Sequence, residues 1–192
     1  MNVLIIFAHP NEESFGYALL KNLKVGLLDA NHQIEIHDLY RDKFNPILSK
    51  EELIDASKLE EDPLIMKYRK DIQWANIIVI LHPAYWYSTP AILKGYFDRI
   101  LVDGFAYDYV NENPIPKLID KKGILIQTFD AEEELERSLF EDITYKTVYF
   151  TWKYCGIEDW KRFTLFRVNF VSKEEREEWL KQIYRLGLSI EK

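Results

Sequence analysis

Four aliphatic residues in a row, Ile77-Ile78-Val79-Ile80, followed by Leu81 and then His82-Pro83, leave this chain few folds to choose from. Such a run reads as a strand buried on both faces, which a sheet covered by helices on either side provides. Pro83 removes a backbone donor and ends it. Tyr85, Trp86 and Tyr87 follow in a loop, and Thr89-Pro90 supply an N-cap and a first helical residue for a helix from Pro90 to Val102. In open parallel sheets ligands bind outside the carboxyl ends of the strands, so Pro83 to Ser88 lies where a planar cofactor is expected. The same aromatics would serve equally as cover for the sheet edge.

A second apolar run, Val3 to Ala8, opens the chain and turns at His9-Pro10 into a helix capped by Ser14, with Phe15, Ala18, Leu19, Leu23 and Leu27 at helical spacing and Asn31 as a left-handed stop. No GxGxxG fingerprint occurs. A helix start preceded by His and Ser still holds a phosphate through exposed amides, dipole and side-chain donors. His9 is equally at home as a strand-end residue bonded to backbone. Gln33 to Leu39 alternates as a second strand, Ser49 to Ala56 forms a short helix, and Pro63 to Trp74 a longer one. Lys122 to Thr128 is the fourth strand, Phe129 to Glu134 an acidic loop, and Phe163 to Val168 the fifth strand. Ser172 and Glu175 form a capping box on a last helix to Leu188.

Residues 1–192 are expected to form a single domain, since 192 residues bury a sufficient core without staples. One cysteine, Cys155, forbids an internal disulfide and suits a reducing compartment. The first apolar run has no basic flank and is too short for a signal peptide or a span, which leads to the expectation of a cytoplasmic protein. A net charge of -7 without clustered Lys or Arg argues against nucleic acid or an anionic membrane as partner. The four histidines show no metal-ligand spacing, and His32 and His37 read as solvated or structural.

Five strands alternating with helices imply an α/β, flavodoxin-like doubly wound parallel sheet of order 2-1-3-4-5 in three α/β/α layers. Its switch point sets the His9-to-Phe15 turn beside the Pro83-to-Ser88 loop, with Thr128 to Glu132 beyond. An anion-ready helix start beside an aromatic loop describes the phosphate and flat ring of a flavin nucleotide.

Taken together, Ala8-His9-Pro10 with Ser14-Phe15, Asp38-Leu39-Tyr40 with Phe44-Asn45-Pro46-Ile47, Pro83 through Trp86 leading into Pro90-Ala91-Ile92-Leu93-Lys94-Gly95, and Gly104-Phe105-Ala106-Tyr107 make the chain similar to the NAD(P)H:quinone oxidoreductase family, the DT-diaphorase and modulator-of-drug-activity group. The resemblance spans nearly the whole chain. It implies a homodimer with flavin sites at the subunit interface, phosphate contacts from His9, Ser14 and Phe15, and ring contacts from Pro83, Ala84, Tyr85, Trp86 and Tyr87. It also implies a lid from Tyr107 over the partner's site. Trp86 and Tyr107 are then the side chains next to the chemistry, which is ping-pong hydride transfer from NAD(P)H through the flavin to a quinone-like acceptor.

The chain departs from the family after the fourth strand. Thr128-Phe129-Asp130-Ala131 replaces the usual Thr-Thr-Gly-Gly, and no His follows His82. Thr128 and Asp130 are therefore expected beside the ring, in an altered loop. Asp130 serves there either as a charge facing the flavin or as the N-cap of the Glu132 to Glu134 helix. Gly16, where the long animal enzymes commonly have Asn, and the lack of their C-terminal extension leave FMN and FAD both open. A regulatory flavin-binding subunit, like the ancillary proteins of potassium efflux systems, is the alternative within the same family. A third reading, an electron-carrier flavodoxin, sits less well with the aromatic loop and the Tyr107 lid.

Overall fold

The computed structural model describes residues 1–190. Five strands, β1 (Asn2–Phe7), β2 (Gln33–Asp38), β3 (Ile77–Pro83), β6 (Lys122–Thr128) and β7 (Asp159–Leu165), form one parallel sheet of order β2-β1-β3-β6-β7. Counting only these five, the order is 2-1-3-4-5. β1 and β3 lie in register from Val3 opposite Ile77 to Phe7 opposite Leu81, and β3 and β6 from Ile77 opposite Lys122 to Pro83 opposite Thr128. All seven residues of β3 are buried, as its aliphatic run requires.

Helices cover both faces. α1 (Phe15–Asp29) and α6 (Lys173–Ser189) pack on one, joining Val3, Ile5, Phe7, Val79 and Ile126 in a core. α3 (Pro63–Trp74), α4 (Ala91–Ile100) and α5 (Ile143–Tyr154) pack on the other, around Leu4, Ile6, Ile78, Ile80, Leu125 and Trp152. The alternate residues of one strand thus feed two cores. A short α2 (Lys50–Ile54) carries the Ser49/Glu52 capping box and is followed by a 3-10 turn. None of the described helices is long and apolar enough to cross a membrane.

Several boundaries differ from the sequence reading. β3 runs through His82 and Pro83 because Pro83 pairs with Thr128 and the next amide, that of Ala84, donates to the Thr128 carbonyl at 2.9 Å. Thr89 does not cap α4: Pro90 occupies the cap position and no side chain bonds the first amides. Ser172 accepts from the Glu175 amide at 3.1 Å, one half of the expected box. The fifth strand begins at Asp159, four residues early. As an edge strand it admits the charged Lys161 and Arg162 and alternates, while the apolar Phe166 to Val168 form a loop instead. A small hairpin of β4 (Tyr107–Val110) and β5 (Asn113–Pro116), with Asn111 and Glu112 both in the left-handed region, went unread.

Candidate active site

The carboxyl ends of β1, β3, β6 and β7 open on a cleft of about 700 Å³. Its near end is the start of α1. The Ser14 hydroxyl accepts from the Tyr17 amide at 3.1 Å, and the Phe15 and Gly16 amides, in a first turn with no carbonyl below them, are left facing outward. His9 lies over this turn, its Cδ2 3.6 Å from where a Gly16 Cβ would stand. The Asn11 amide donates to His9 Nδ1 at 3.0 Å, so the ring proton sits on Nε2 and is available to an acceptor. Burial holds the imidazole pKa below its ordinary value, keeping His9 a neutral donor.

Arg176 completes this end. It projects from the first turn of α6, donates from Nη1 to the Val168 carbonyl at 3.2 Å, and makes no ion pair among the described residues. Two donors, two amides and one cation thus line the same cleft.

The far end is walled by Pro83, Ala84, Tyr85, Thr128, Phe129, Asp130 and Asn169. Burial, with the charges of Tyr40 and Asp130, raises the Tyr85 phenol, which therefore stays protonated. Asp130 accepts from the Asn169 amide nitrogen at 2.9 and 3.0 Å and lies in the cleft wall. It is not an N-cap, because its carboxylate bonds Asn169 and no helix amide; Glu134 holds the cap position of the following helical turn, without a side-chain bond.

Eight of the eleven residues singled out from sequence share this cleft: His9, Ser14, Phe15, Pro83, Ala84, Tyr85, Thr128 and Asp130. Trp86 and Tyr87 do not line it. They form the tip of a two-residue hairpin closed by the Tyr85 and Ser88 amides and carbonyls at 3.0 and 3.1 Å, with φ of 49° and 58°. Neither is the Gly or Asn such a turn prefers, so roughly 1–3 kcal/mol of strain per residue is held at the mouth of the cleft. Trp86 is 94% exposed there, whereas Tyr87 packs on Phe140 at 4.2 Å. Tyr107 is elsewhere, in a separate groove between α2, α4 and α5, its ring 5.0 Å from Tyr154.

Asn169 and Arg176 escaped the sequence reading. Misplacing the fifth strand turned the Phe166 to Val168 loop into sheet and hid the one segment that brings both residues to the cleft. The available signal was topological: β7 neighbours β6, so its carboxyl-end loop must border the same crevice.

A doubly wound sheet with an anion-ready crevice at its switch point is the architecture of nucleotide-binding α/β proteins. The chain belongs to the flavodoxin-like fold family, whose description fits residues 1–186. An uncharacterized NAD(P)H oxidoreductase of Haemophilus influenzae is 36% identical over 171 residues, which are 86% of this chain and 83% of that one. The NAD(P)H dehydrogenase (quinone) of Cavia porcellus is 30% identical over 149 residues, 69% of this chain but only 54% of that enzyme. Among solved structures, the NAD(P)H:quinone oxidoreductase from Methanothermobacter marburgensis is 29% identical and superposes with a TM-score of 0.78 over 100% of this chain and 99% of that one.

Proposed function

We propose that the chain is a flavin-dependent NAD(P)H oxidoreductase that delivers two electrons from a nicotinamide to a quinone-like acceptor, the two substrates using the cleft in turn. The observation that carries this reading is the meeting of the α1 start, His9 and Arg176 with the peptide and aromatic wall in a single cleft, a donor set suited to a phosphate at one end and a flat ring at the other. The names of the relatives point the same way. When bound, the flavin supplies reversible two-electron chemistry that no side chain of this set could provide.

The residues divide accordingly. Ser14, Phe15, Gly16, His9 and Arg176 hold the phosphate by neutral and charged donors. Pro83, Ala84, Tyr85, Thr128 and Asp130 line the cleft where the ring would be held. Trp86, exposed on the hairpin that follows Tyr85, is placed to meet a substrate entering the cleft. Arg176→Met removes one charge-assisted contact, together with the bond to the Val168 carbonyl, while keeping an unbranched apolar stem. Such bonds contribute about 1.5–3 kcal/mol, so flavin affinity falls roughly 10- to 100-fold, measured by fluorescence titration. A purified chain that is colourless and takes up no added flavin would overturn the whole reading.

Asp130 stands where the similar family carries glycine, and its carboxylate accepts from a neutral amide, with no ion pair among the described residues. A negative charge on that wall disfavours the reduced, anionic ring. Taking a separation of about 8 Å and an effective dielectric of about 20, the effect is at most about 2 kcal/mol. That corresponds to roughly 40 mV for a two-electron couple. Asp130→Asn should raise the flavin midpoint potential by up to that amount while keeping a partner for Asn169. A potential unchanged within a few millivolts places the carboxylate outside the ring's field.

The active unit in this proposal is a homodimer. Leu53 lines the groove that holds Tyr107, and Ile54, Tyr109, Val110, Ile115 and Phe150, on the elements beside it, are exposed apolar residues of the kind an interface covers. Tyr107 lies outside its own chain's cleft and serves as a lid for the partner's. Light scattering at micromolar concentration should give twice the chain mass, and Leu53→Asp should lower it to one; a monomeric parent removes both dimer and lid.

A further inference from the structure

Two arginines lie against each other beneath the connection from α4 to β4, and the chain treats them differently. Arg99, 4% exposed, is paired with Glu52 and with Asp62 at 3.4 Å, and donates to the Asn45 carbonyl at 2.8 Å. Arg69, 7% exposed, has one hydrogen bond among the described residues, from Nη2 to the Arg99 carbonyl at 3.3 Å, and no ion pair. Its Nε is buried without a partner. Burial pushes its pKa down, with Glu60 acting in the opposite sense. A largely buried guanidinium whose Nε has no acceptor calls for an anion or a fuller set of acceptors, and the neighbouring Arg99 shows that this fold supplies them where the charge is purely structural.

Arg69 opens instead on a cavity of about 800 Å³ that shares no lining residue with the cleft. Its Cζ stands 5.3 Å from the centre of the Phe105 ring. Met66 and Val102 give the cavity an apolar wall, and Lys70 adds a second cation that makes no ion pair among the described residues. Glu60 and Asp103 also border it, and neither comes within salt-bridge distance of Arg69. The guanidinium is a fork suited to a two-oxygen anion, and the aromatic face beside it suits a flat apolar body.

We propose that this cavity is a second small-molecule site, taking a planar organic anion whose carboxylate or phosphate is held by Arg69 and Lys70 while its apolar body lies against Phe105. The site stands apart from the nucleotide cleft and rests on nothing assumed about it.

Benzoate is the probe, with acetate and inorganic phosphate as the anions that lack a planar body. Titrated into the full chain, benzoate should raise the melting temperature and shift the amide resonances of Arg69, Lys70 and Phe105. Arg69→Met should weaken it by about tenfold or more, and Lys70→Gln by less. Glu60→Gln, which removes a repelling carboxylate, should tighten it. Three results overturn the proposal. One is benzoate binding that Arg69→Met leaves unchanged, and a second is binding that acetate or phosphate matches at equal concentration. The third is a parent that none of the three anions stabilises or shifts; equal destabilisation by Glu60→Gln and Arg69→Met would then identify Glu60 as the counter-ion.

Discussion

Between pH 6.5 and about 4 the folded chain should lose several kcal/mol of stability, most of it through two histidines. His37 and His82 are fully buried, and burial lowers both pKa values from 6.5 to about 4. His37 stacks on Tyr68 at 3.7 Å, accepts at Nδ1 from the Tyr96 hydroxyl at 2.9 Å, and donates from Nε2 to Asp71 at 3.1 Å. Desolvation is the largest cause; Asp71 favours the imidazolium without outweighing it, and Lys67 adds to the lowering. His82 donates from Nδ1 to the Pro83 carbonyl at 2.8 Å and meets Gln127 at 3.3 Å, with no carboxylate beside it. Below pH 6.5 the unfolded chain binds protons at these sites that the folded chain refuses, so stability is full above that pH and falls as pH drops towards 4. Each histidine contributes about 1.4 kcal/mol per pH unit in that window, roughly 3 kcal/mol by its lower end. Urea unfolding at a series of pH values reads the slope. His82→Leu should flatten it by about 1.4 kcal/mol per unit whatever the substitution does to stability at pH 7. An unchanged slope means that His82 is protonated as readily in the folded chain as in the unfolded one.

His82 also shows how sequence and fold meet at the site. Its ring anchors the peptide that begins the far wall of the cleft, and the row His82 beside Gln127 beside Thr164 crosses β3, β6 and β7 in register. The central strands were legible because unbroken Val, Ile and Leu runs suit only a sheet buried on both faces, and with them came the switch point and eight cleft residues. The β7 edge was legible only in part. An edge strand needs only one apolar face, so Asp159 to Arg162 resembled a polar loop, while Phe166 to Val168 resembled a continuation of the strand. The β4 to β5 hairpin was hidden for a similar reason: Asn111 and Glu112 adopt left-handed φ without the glycine that marks such turns. The Trp86 and Tyr87 turn is the same device at the cleft, built from the residue types least expected to adopt it, and only the backbone angles reveal it. Arg176 sits on a helix whose own periodicity explains every neighbour without assigning it a ligand.

Gly95 was legible as an anomaly, a glycine inside a helix where Ala would be favoured by about 1 kcal/mol, and the structure supplies its cause within the chain. A Cβ at Gly95 would stand 2.1 Å from the Pro46 carbonyl oxygen and 2.4 Å from Pro46 Cβ, so the segment before α2 rests directly on the α4 backbone. That segment cannot move aside freely. One turn further along α4, Arg99 grips it through the Asn45 carbonyl and, through Glu52, the start of α2. Gly95→Ala therefore forces either an overpacked contact against backbone or a loosened buried ion pair, and should cost about 3 kcal/mol or more. For a domain of this size the melting temperature falls by roughly 6–12 °C. Gly16→Ala is the control. Its Cβ would meet only the His9 ring at 3.6 Å and the Ser14 hydroxyl at 3.7 Å, ordinary contacts, so helix propensity prevails and stability should hold or rise by up to about 1 kcal/mol. Equal melting temperatures for the two variants would mean that Pro46 yields to Gly95→Ala, and that the Arg99 grip does not fix this segment to α4.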